Sequence, residues 1–451
     1  MAAKYREAPA EIPGYPTGIP FIVGNEAAER FSFWGMVAIL QQYMMTHLSM
    51  SEPQAAAYVH FFFSWVFFLP LFGGVLADAF LGKYRTIIFL SIVYCFGHFA
   101  LAVDETRLGL FIGLTLIAVG AGGVKPCVAA HVGDQFGRSN QHLLPKVFAW
   151  FYFSTNFGAL FAMFLIPYLL HEVGPWLAFG VPGILMLFST VVFWLGRHRF
   201  VHIPPGGMAS VRETFSPEGL RAIRSLTLFY VAVAAFWSLG NQISTTWVAQ
   251  ANRMDLVFLD HEWLPEQVQA LGPTLVLVFV PLFGYVIYPL VGLVFPLTAL
   301  RKISIGLFVA AIAAAIPAVI DTWIQAGEKP NIAWQMLAYV PLTAAEVMVA
   351  IPFLEFSYTQ APKRMKSLVM SLYLVAIAAG NLFASAVNFY YDKQREQAGE
   401  PAGDPYRVEP AQLARPEYFW FFAGLLLAAA FGFIVIARLY RPRTYVQGTD
   451  G

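Results

Sequence analysis

Residues 54–79, QAAAYVHFFFSWVFFLPLFGGVLADA, run for 26 positions with Tyr58, His60 and Asp78 as their only ionisable side chains. About 20 mostly apolar residues, at a rise of about 1.5 Å each, cross the hydrocarbon core of a bilayer, so this stretch alone is long enough to span one. The same window applied outward finds about twelve such runs, at 22–47, 54–79, 84–103, 108–133, 145–170, 175–196, 223–247, 268–297, 303–325, 332–357, 366–391 and 415–438. The expected fold class is an all-α polytopic membrane protein with the lipid bilayer as its solvent.

Composition points the same way. Of 451 residues, 58% are hydrophobic and 12% charged, about half the charged share of a soluble domain. Lys and Arg number 28 against 27 Asp and Glu, a net charge of +1, so there is no basic face for nucleic acid and no nucleic-acid partner is expected. Cys95 and Cys127 stand in apolar segments without metal-ligand or redox spacing, which argues against a disulfide framework or a metal site. Residues 1–20 are polar and rich in proline and lack the apolar core of a cleaved signal, so the first helix is expected to stay in the mature protein.

With the N-terminus in the cytoplasm, Lys83, Arg85, Arg138, Lys146, the connection 197–224, Arg301, Lys302 and Lys363–Lys366 fall on that side, and most loop acids fall opposite. The positive-inside bias thus favours cytoplasmic termini, in a plasma or inner membrane. The connection after the sixth run contains Pro204, Pro205, Gly206 and Gly207. It divides the chain into a six-helix bundle at 1–196, a linker at 197–222, and a second six-helix bundle with a cytoplasmic tail at 223–451. No Gly-x-x-x-x-Gly-Lys-Ser/Thr phosphate loop is present. Paired bundles without an ATP motor suit transport driven by a gradient.

Charges inside such runs are costly, so each is a functional candidate. In the first run Glu26, Glu29 and Arg30 stand at i, i+3 and i+4, stacked on one helical face where Arg30 can pair with a carboxylate. A neighbouring arginine favours an ionised carboxylate, whereas burial and a second carboxylate favour the protonated one, so the cluster can hold or release a proton as its surroundings change. Spacing alone leaves two readings, a proton site or a structural ion pair at a helix end.

The segment Glu26-Ala-Ala-Glu-Arg-Phe-Ser-Phe-Trp-Gly-Met36 resembles the E-x-x-E-R-F motif of the proton-dependent oligopeptide transporter (POT) family, part of the major facilitator superfamily. Gly73–Thr86 resembles that family's loop after helix two, Gly122–Phe136 its fourth helix, and Phe151-Tyr-Phe-Ser-Thr-Asn-Phe-Gly-Ala-Leu160 its F-Y-x-x-I-N-x-G-S-L signature. Glu355-Phe-Ser-Tyr-Thr-Gln-Ala-Pro362 with Met365-Lys-Ser367 is similar to the animal members. The resemblance implies a major facilitator fold of twelve transmembrane helices in two six-helix bundles, without the two extra central helices of many bacterial members. It also implies proton-coupled import of di- and tripeptides by a protein that is not an enzyme, acts as a monomer and needs no cofactor beyond protons as the coupling ion.

Residue roles follow from the same resemblance. Proton coupling falls to Glu26, Glu29, Arg30, His60 and Glu346. Substrate binding falls to Lys125, Asn156, Phe33, Trp34, Trp237, Asn241, Glu346 and Tyr373, with Lys125 taking a peptide carboxylate and Glu346 an amino terminus. Gating falls to Asp78, Lys83 and Arg85. Each has a plainer alternative: snorkelling for Lys125, hydrogen-bonded packing for His60, lipid-facing or core packing for the aromatics, and a topogenic role for the Lys83/Arg85 pair.

Three positions depart from the family pattern. Val37 replaces a second first-helix arginine, Asn241 replaces an acid in the seventh helix, and Gly272 replaces an asparagine before Pro273. The first two family residues pair with each other, so their joint absence removes an ion pair. Peptides therefore share the field with a rival class of solute, such as nitrate or an amino-acid conjugate, carried by the same fold.

Overall fold

The computed structural model describes residues 5–50, 52–244, 246–263, 265–397 and 416–440. Twelve long helices order them: α1 Ile19–Thr46, α2 Glu52–Val75, α3 Lys83–Val103, α4 Arg107–Asp134, α5 Leu144–Glu172, α6 Pro175–Leu195, α7 Pro217–Gly240, α8 Leu271–Leu282, α9 Ala299–Gln325, α10 Ala333–Gln360, α11 Lys366–Gln397 and α12 Pro416–Leu439. A π-helical turn at Phe283–Ile287 and the helix Tyr288–Gly292 prolong α8. Among the described residues eleven helical stretches are long and apolar enough to cross a membrane, and α1, which carries Glu26, Glu29 and Arg30, is not one of them. The protein is a multi-pass membrane protein.

Local chemistry sets the boundaries. Prolines stand in the first turns of α1, α5 and α6, where their missing N–H costs nothing. Thr106 Oγ1 accepts from Gly109 N at 3.2 Å to cap α4, and Thr298 Oγ1 accepts from Arg301 N at 3.3 Å to cap α9. The seventh helix begins at Pro217 rather than near 223, because Ser216 Oγ accepts from Gly219 N and starts it a turn and a half early. It ends at Gly240, and Thr246–Ala251 follows as a separate short helix. The linker contains one short helix, Gly207–Thr214.

The chain forms two compact units. Of the described residues, unit 1 comprises those within 5–225 and 354–375, and unit 2 those within 226–353 and 376–440. The end of α10 and the start of α11 thus pack with the first half of the chain.

Glycine notches bring the helices of unit 1 together. A Cβ on Gly73 would sit 2.3 Å from the Gly122 carbonyl, one on Gly97 2.8 Å from the Gly113 carbonyl, and one on Gly158 2.1 Å from the Ala27 carbonyl. Close approach of this kind, rather than hydrophobic drive, holds helices together in lipid. Outward, Phe61, Trp65, Phe68 and Phe72 form an exposed stripe along α2. That face suits hydrocarbon.

Before α1, residues 5–18 form a strap across one end of unit 1. Its Arg6 carbonyl accepts from His202 N at 2.7 Å, its Ile12 carbonyl from Ser139 Oγ at 3.1 Å, and its Gly14 carbonyl from Asn140 Nδ2 at 3.0 Å. The Tyr5 ring stacks on His202 with centroids 4.2 Å apart. In unit 2, α9 packs on α12, and Gly380 lets α11 approach the Ala234 carbonyl of α7.

Candidate functional site

The first-helix cluster lies inside unit 1. Glu26 and Glu29 are fully buried. Arg30 Nε donates to Glu26 Oε1 at 2.7 Å and stands 3.3 Å from Glu29 Oε2. From α4, Lys125 brings Nζ to 3.5 Å from Glu29 Oε1 and lies 3.7 Å above the Phe33 ring. Lys125 is itself buried, so its charge ends on Glu29 and an aromatic face rather than at an interface. Two acids and two cations share one compartment.

The two carboxylates are not equivalent. Glu26 receives the charge-assisted hydrogen bond of Arg30 and a long one from Thr155 Oγ1 at 3.5 Å. Glu29 is ion-paired through both oxygens, at 3.3 Å to Arg30 and 3.5 Å to Lys125, and the Tyr94 hydroxyl is directed at it. Its contacts are longer than the 2.7 Å bond that Glu26 receives.

Around this centre, Phe33 is buried against Phe62 and Phe63 at centroid separations of 6.1 and 6.2 Å, with Trp34 half-buried beside it at 5.4 Å. Asn156 is half-buried on α5 and donates to the Tyr152 carbonyl at 3.0 Å, so part of its amide is engaged by its own helix. His60 and Asn241 lie on described backbone, but their side chains are outside the described residues. In unit 2, Glu346 is half-buried on α10, and Trp237 is half-buried on α7 with its ring against Phe236. Tyr373 is buried on the part of α11 that belongs to unit 1.

A second polar network closes one end of unit 1. Past α2 the backbone widens into a π-helical turn, Leu76–Leu81, and then reverses at Gly82, whose φ of 77° lies in the region that favours glycine. This turn aims Asp78 at the start of α11, where Oδ2 accepts from Leu368 N at 3.0 Å. Lys83 Nζ stands 2.8 Å from Asp134 Oδ2 and 3.8 Å from Asp78 Oδ1. Tyr358 Oη donates to Asp134 Oδ1 at 2.9 Å, Lys366 Nζ donates to the Tyr358 carbonyl at 2.6 Å, and Ser371 Oγ donates to the Pro70 carbonyl at 2.6 Å. Glycine is required opposite these groups, since a Cβ on Gly74 would lie 2.4 Å from Ser371 Oγ and one on Gly133 2.4 Å from the Tyr358 ring. Asp78 and Lys83 are thus brought together, while Arg85 is exposed outside the network.

Asp134, Tyr358 and Lys366 carry no role in the sequence-based expectations, although each stands in a quoted motif. Asp321 is also missing from them. It is buried in α9 and pairs with Arg253, while Gln250 Nε2 donates to its Oδ1 at 3.4 Å and Gln335 Nε2 to Gln250 Oε1 at 3.3 Å. The signal was available: Asp321 is a carboxylate within an apolar run.

A family model described as the POT family matches residues 84–216 and 208–401. Solute carrier family 15 member 2 of Rattus norvegicus is 35% identical over 404 residues, covering 77% of this chain and 55% of that protein. The chain spans about half the length of the curated relatives it matches. Among solved structures, an auto-inhibited POT family peptide transporter aligns with a TM-score of 0.69 and 35% identity, covering 97% of this chain and 99% of that one. The POT family transporter PepTSo aligns with a TM-score of 0.71 and 34% identity, covering 95% and 99%.

Proposed function

This chain belongs to the POT family, and from that membership we propose that it imports di- and tripeptides by proton-coupled symport and alternating access. In this reading it works as a monomer in a cell membrane with both termini cytoplasmic, and the proton is its coupling ion without any cofactor. Peptide transporters among its relatives and neighbours support the substrate class.

The observation that carries the reading is the pair Lys125–Glu29, at 3.5 Å in a buried site. A proton added to Glu29 cancels the charge that holds Lys125. The ammonium is then left buried without its counter-ion, which costs several kcal/mol unless another anion arrives. A peptide carboxylate offsets that cost, so protonation and peptide binding favour each other. Glu26 keeps Arg30 occupied throughout, which prevents the guanidinium from taking the anion instead. Glu346 is assigned the peptide amino terminus on family resemblance.

One observation favours a second solute class. Val37 packs into the apolar core of unit 1, where the family carries an arginine, so one expected cationic contact is missing.

The test uses purified protein in proteoliposomes. Labelled di-alanine should accumulate under an inward proton gradient and be lost on adding a protonophore, with competition by di- and tripeptides. Accumulation of labelled nitrate without competition by di-alanine sinks the peptide assignment, and accumulation unaffected by the protonophore sinks the coupling.

A further inference from the structure

Ser91, Tyr94 and His98 stand at i, i+3 and i+7 on the buried face of α3, and all three are fully buried. Ser91 Oγ and both ring nitrogens of His98 find no hydrogen-bond partner among the described residues, and Tyr94 Oη is directed at Glu29. Unpartnered polar groups in a membrane interior cost free energy at each position, so a rank of them is a functional candidate.

The rank starts at the cluster described above. Tyr94 faces Glu29 and Arg30 of α1, with its hydroxyl directed at the Glu29 carboxylate. Its ring stacks on His98, with centroids 5.3 Å apart and planes 20° apart. Glycines seat both rings: a Cβ on Gly120 of α4 would lie 2.7 Å from Tyr94 Cβ, and one on Gly183 of α6 would lie 2.8 Å from His98 Cβ. His98 lies five residues before Val103, the end of α3 opposite Asp78 and Lys83. At about 1.5 Å per residue that is roughly two turns or less from the far end of the helix.

The titratable and charged groups around His98 are therefore few. Among the described residues they are Cys95 and Tyr94 on its own helix, Glu29 and Arg30 from α1 beyond Tyr94, and Lys125 from α4 on the far side of Glu29. α6 presents Gly183.

We propose that His98 is a proton entry station of the first bundle, passing its proton through Tyr94 to Glu29. The proposal rests on the reading that Glu29 is the proton-coupled carboxylate. An external proton adds to one ring nitrogen of His98 and makes the imidazolium. Rotation of the imidazole out of its stack brings that nitrogen to Tyr94 Oη, and it gives up its proton there as the same hydroxyl gives its own to a Glu29 oxygen. Neutral His98, neutral Tyr94 and a protonated Glu29 result, so one proton enters and one is stored. His98 and Tyr94 are not among the groups assigned to the peptide, which makes them relay residues rather than binding residues.

The test uses the full chain in proteoliposomes with labelled di-alanine. His98→Gln keeps a polar side chain without a titration near neutral pH, and Tyr94→Phe keeps the ring without the hydroxyl. Each should lose about tenfold of gradient-driven uptake at an external pH near 6, and the double variant should lose no more than either single one, because both interrupt one path. A wild-type pH profile in His98→Gln, or losses that multiply in the double variant, overturns the proposal. Should either variant fail to fold, the ring-nitrogen NMR signal of His98 in unmodified protein decides. A change of protonation state over the pH range in which uptake switches on supports the relay, and a ring that stays neutral throughout refutes it. Failure of the unmodified protein to accumulate peptide under a gradient would instead sink the symport reading, which keeps the two failures apart.

Discussion

Asp78 Oδ2 accepts the backbone N–H of Leu368 at 3.0 Å, so a carboxylate from the π-helical turn after α2 caps a helix that begins almost three hundred residues later in the chain. The contact holds the start of α11 by a helix-end hydrogen bond and by the charge of the cap. Removing such a cap costs about 0.5–2 kcal/mol, which is a roughly two- to thirtyfold change in a closed-to-open ratio. Asp78→Ala should accelerate maleimide labelling of Cys127, which lies buried behind the same network with Sγ 3.9 Å from the Gly73 carbonyl. Labelling is read in a Cys95→Ser background. Rates equal to those of the parent would show that the cap does not hold this end closed.

The inequality between Glu26 and Glu29 predicts unequal variants. Glu29→Gln should abolish gradient-driven uptake while part of the peptide exchange survives, because Arg30 keeps its hydrogen bond to Glu26. Glu26→Gln should also abolish gradient-driven uptake, and in addition lower thermal stability, because it strips Arg30 of that charge-assisted bond at a cost of about 1.5–3 kcal/mol. Melting curves and uptake on the two variants check this. Equal melting temperatures would remove the distinction.

The Arg253–Asp321 pair in unit 2 is predicted to be a stability element. Asp321 is fully buried, and breaking a buried pair from one side costs about 3–5 kcal/mol because the other charge is stranded. Asp321→Leu should lower the melting temperature by several degrees, and Arg253→Met added to it should recover part of the loss. Recovery of none would indicate that Gln250 and Gln335, rather than the charge pair, set the stability of this end.

The strap should loosen in acid. His202 lies outside the membrane-spanning segments, and burial against Tyr5 and Tyr84 pulls its pKa below 6.5 despite the bond to the Arg197 carbonyl. The docked form therefore binds fewer protons than the undocked one. Its stabilisation is complete above pH 6.5 and is lost as pH falls below that value toward the depressed one. Hydrogen exchange at the His202 amide, which bonds to the Arg6 carbonyl, should lose protection between neutral pH and pH 5 after correction for intrinsic rates. In His202→Gln the same amide should show no such step.

Most of the helical scaffold was legible because lipid imposes one rule, about twenty apolar residues per crossing, and the chain obeys it in run after run. Boundaries moved where a local cap outranked hydropathy, as at Ser216 and Pro217. The ion cluster was legible because charge in an apolar run is rare and Glu26, Glu29 and Arg30 share a helical face. The Asp134–Tyr358 bond was not, since it joins residues over two hundred positions apart and neither side chain is unusual in its own segment. His98 escaped for a related reason. A lone histidine in a span is common enough, and what distinguishes it is that its two nitrogens lack hydrogen-bond partners among the described residues, a property of packing rather than of sequence.

Residues 354–375 belong with the first half of the fold although they are encoded in the second. Chimeras that exchange halves between relatives at the central linker would therefore pair Tyr358 and Lys366 of one parent with Asp134 and Asp78 of the other. The natural crossover unit is not the linker but the linker together with this distant insert, and a transplanted first half that leaves the insert behind arrives with its lock and without its key.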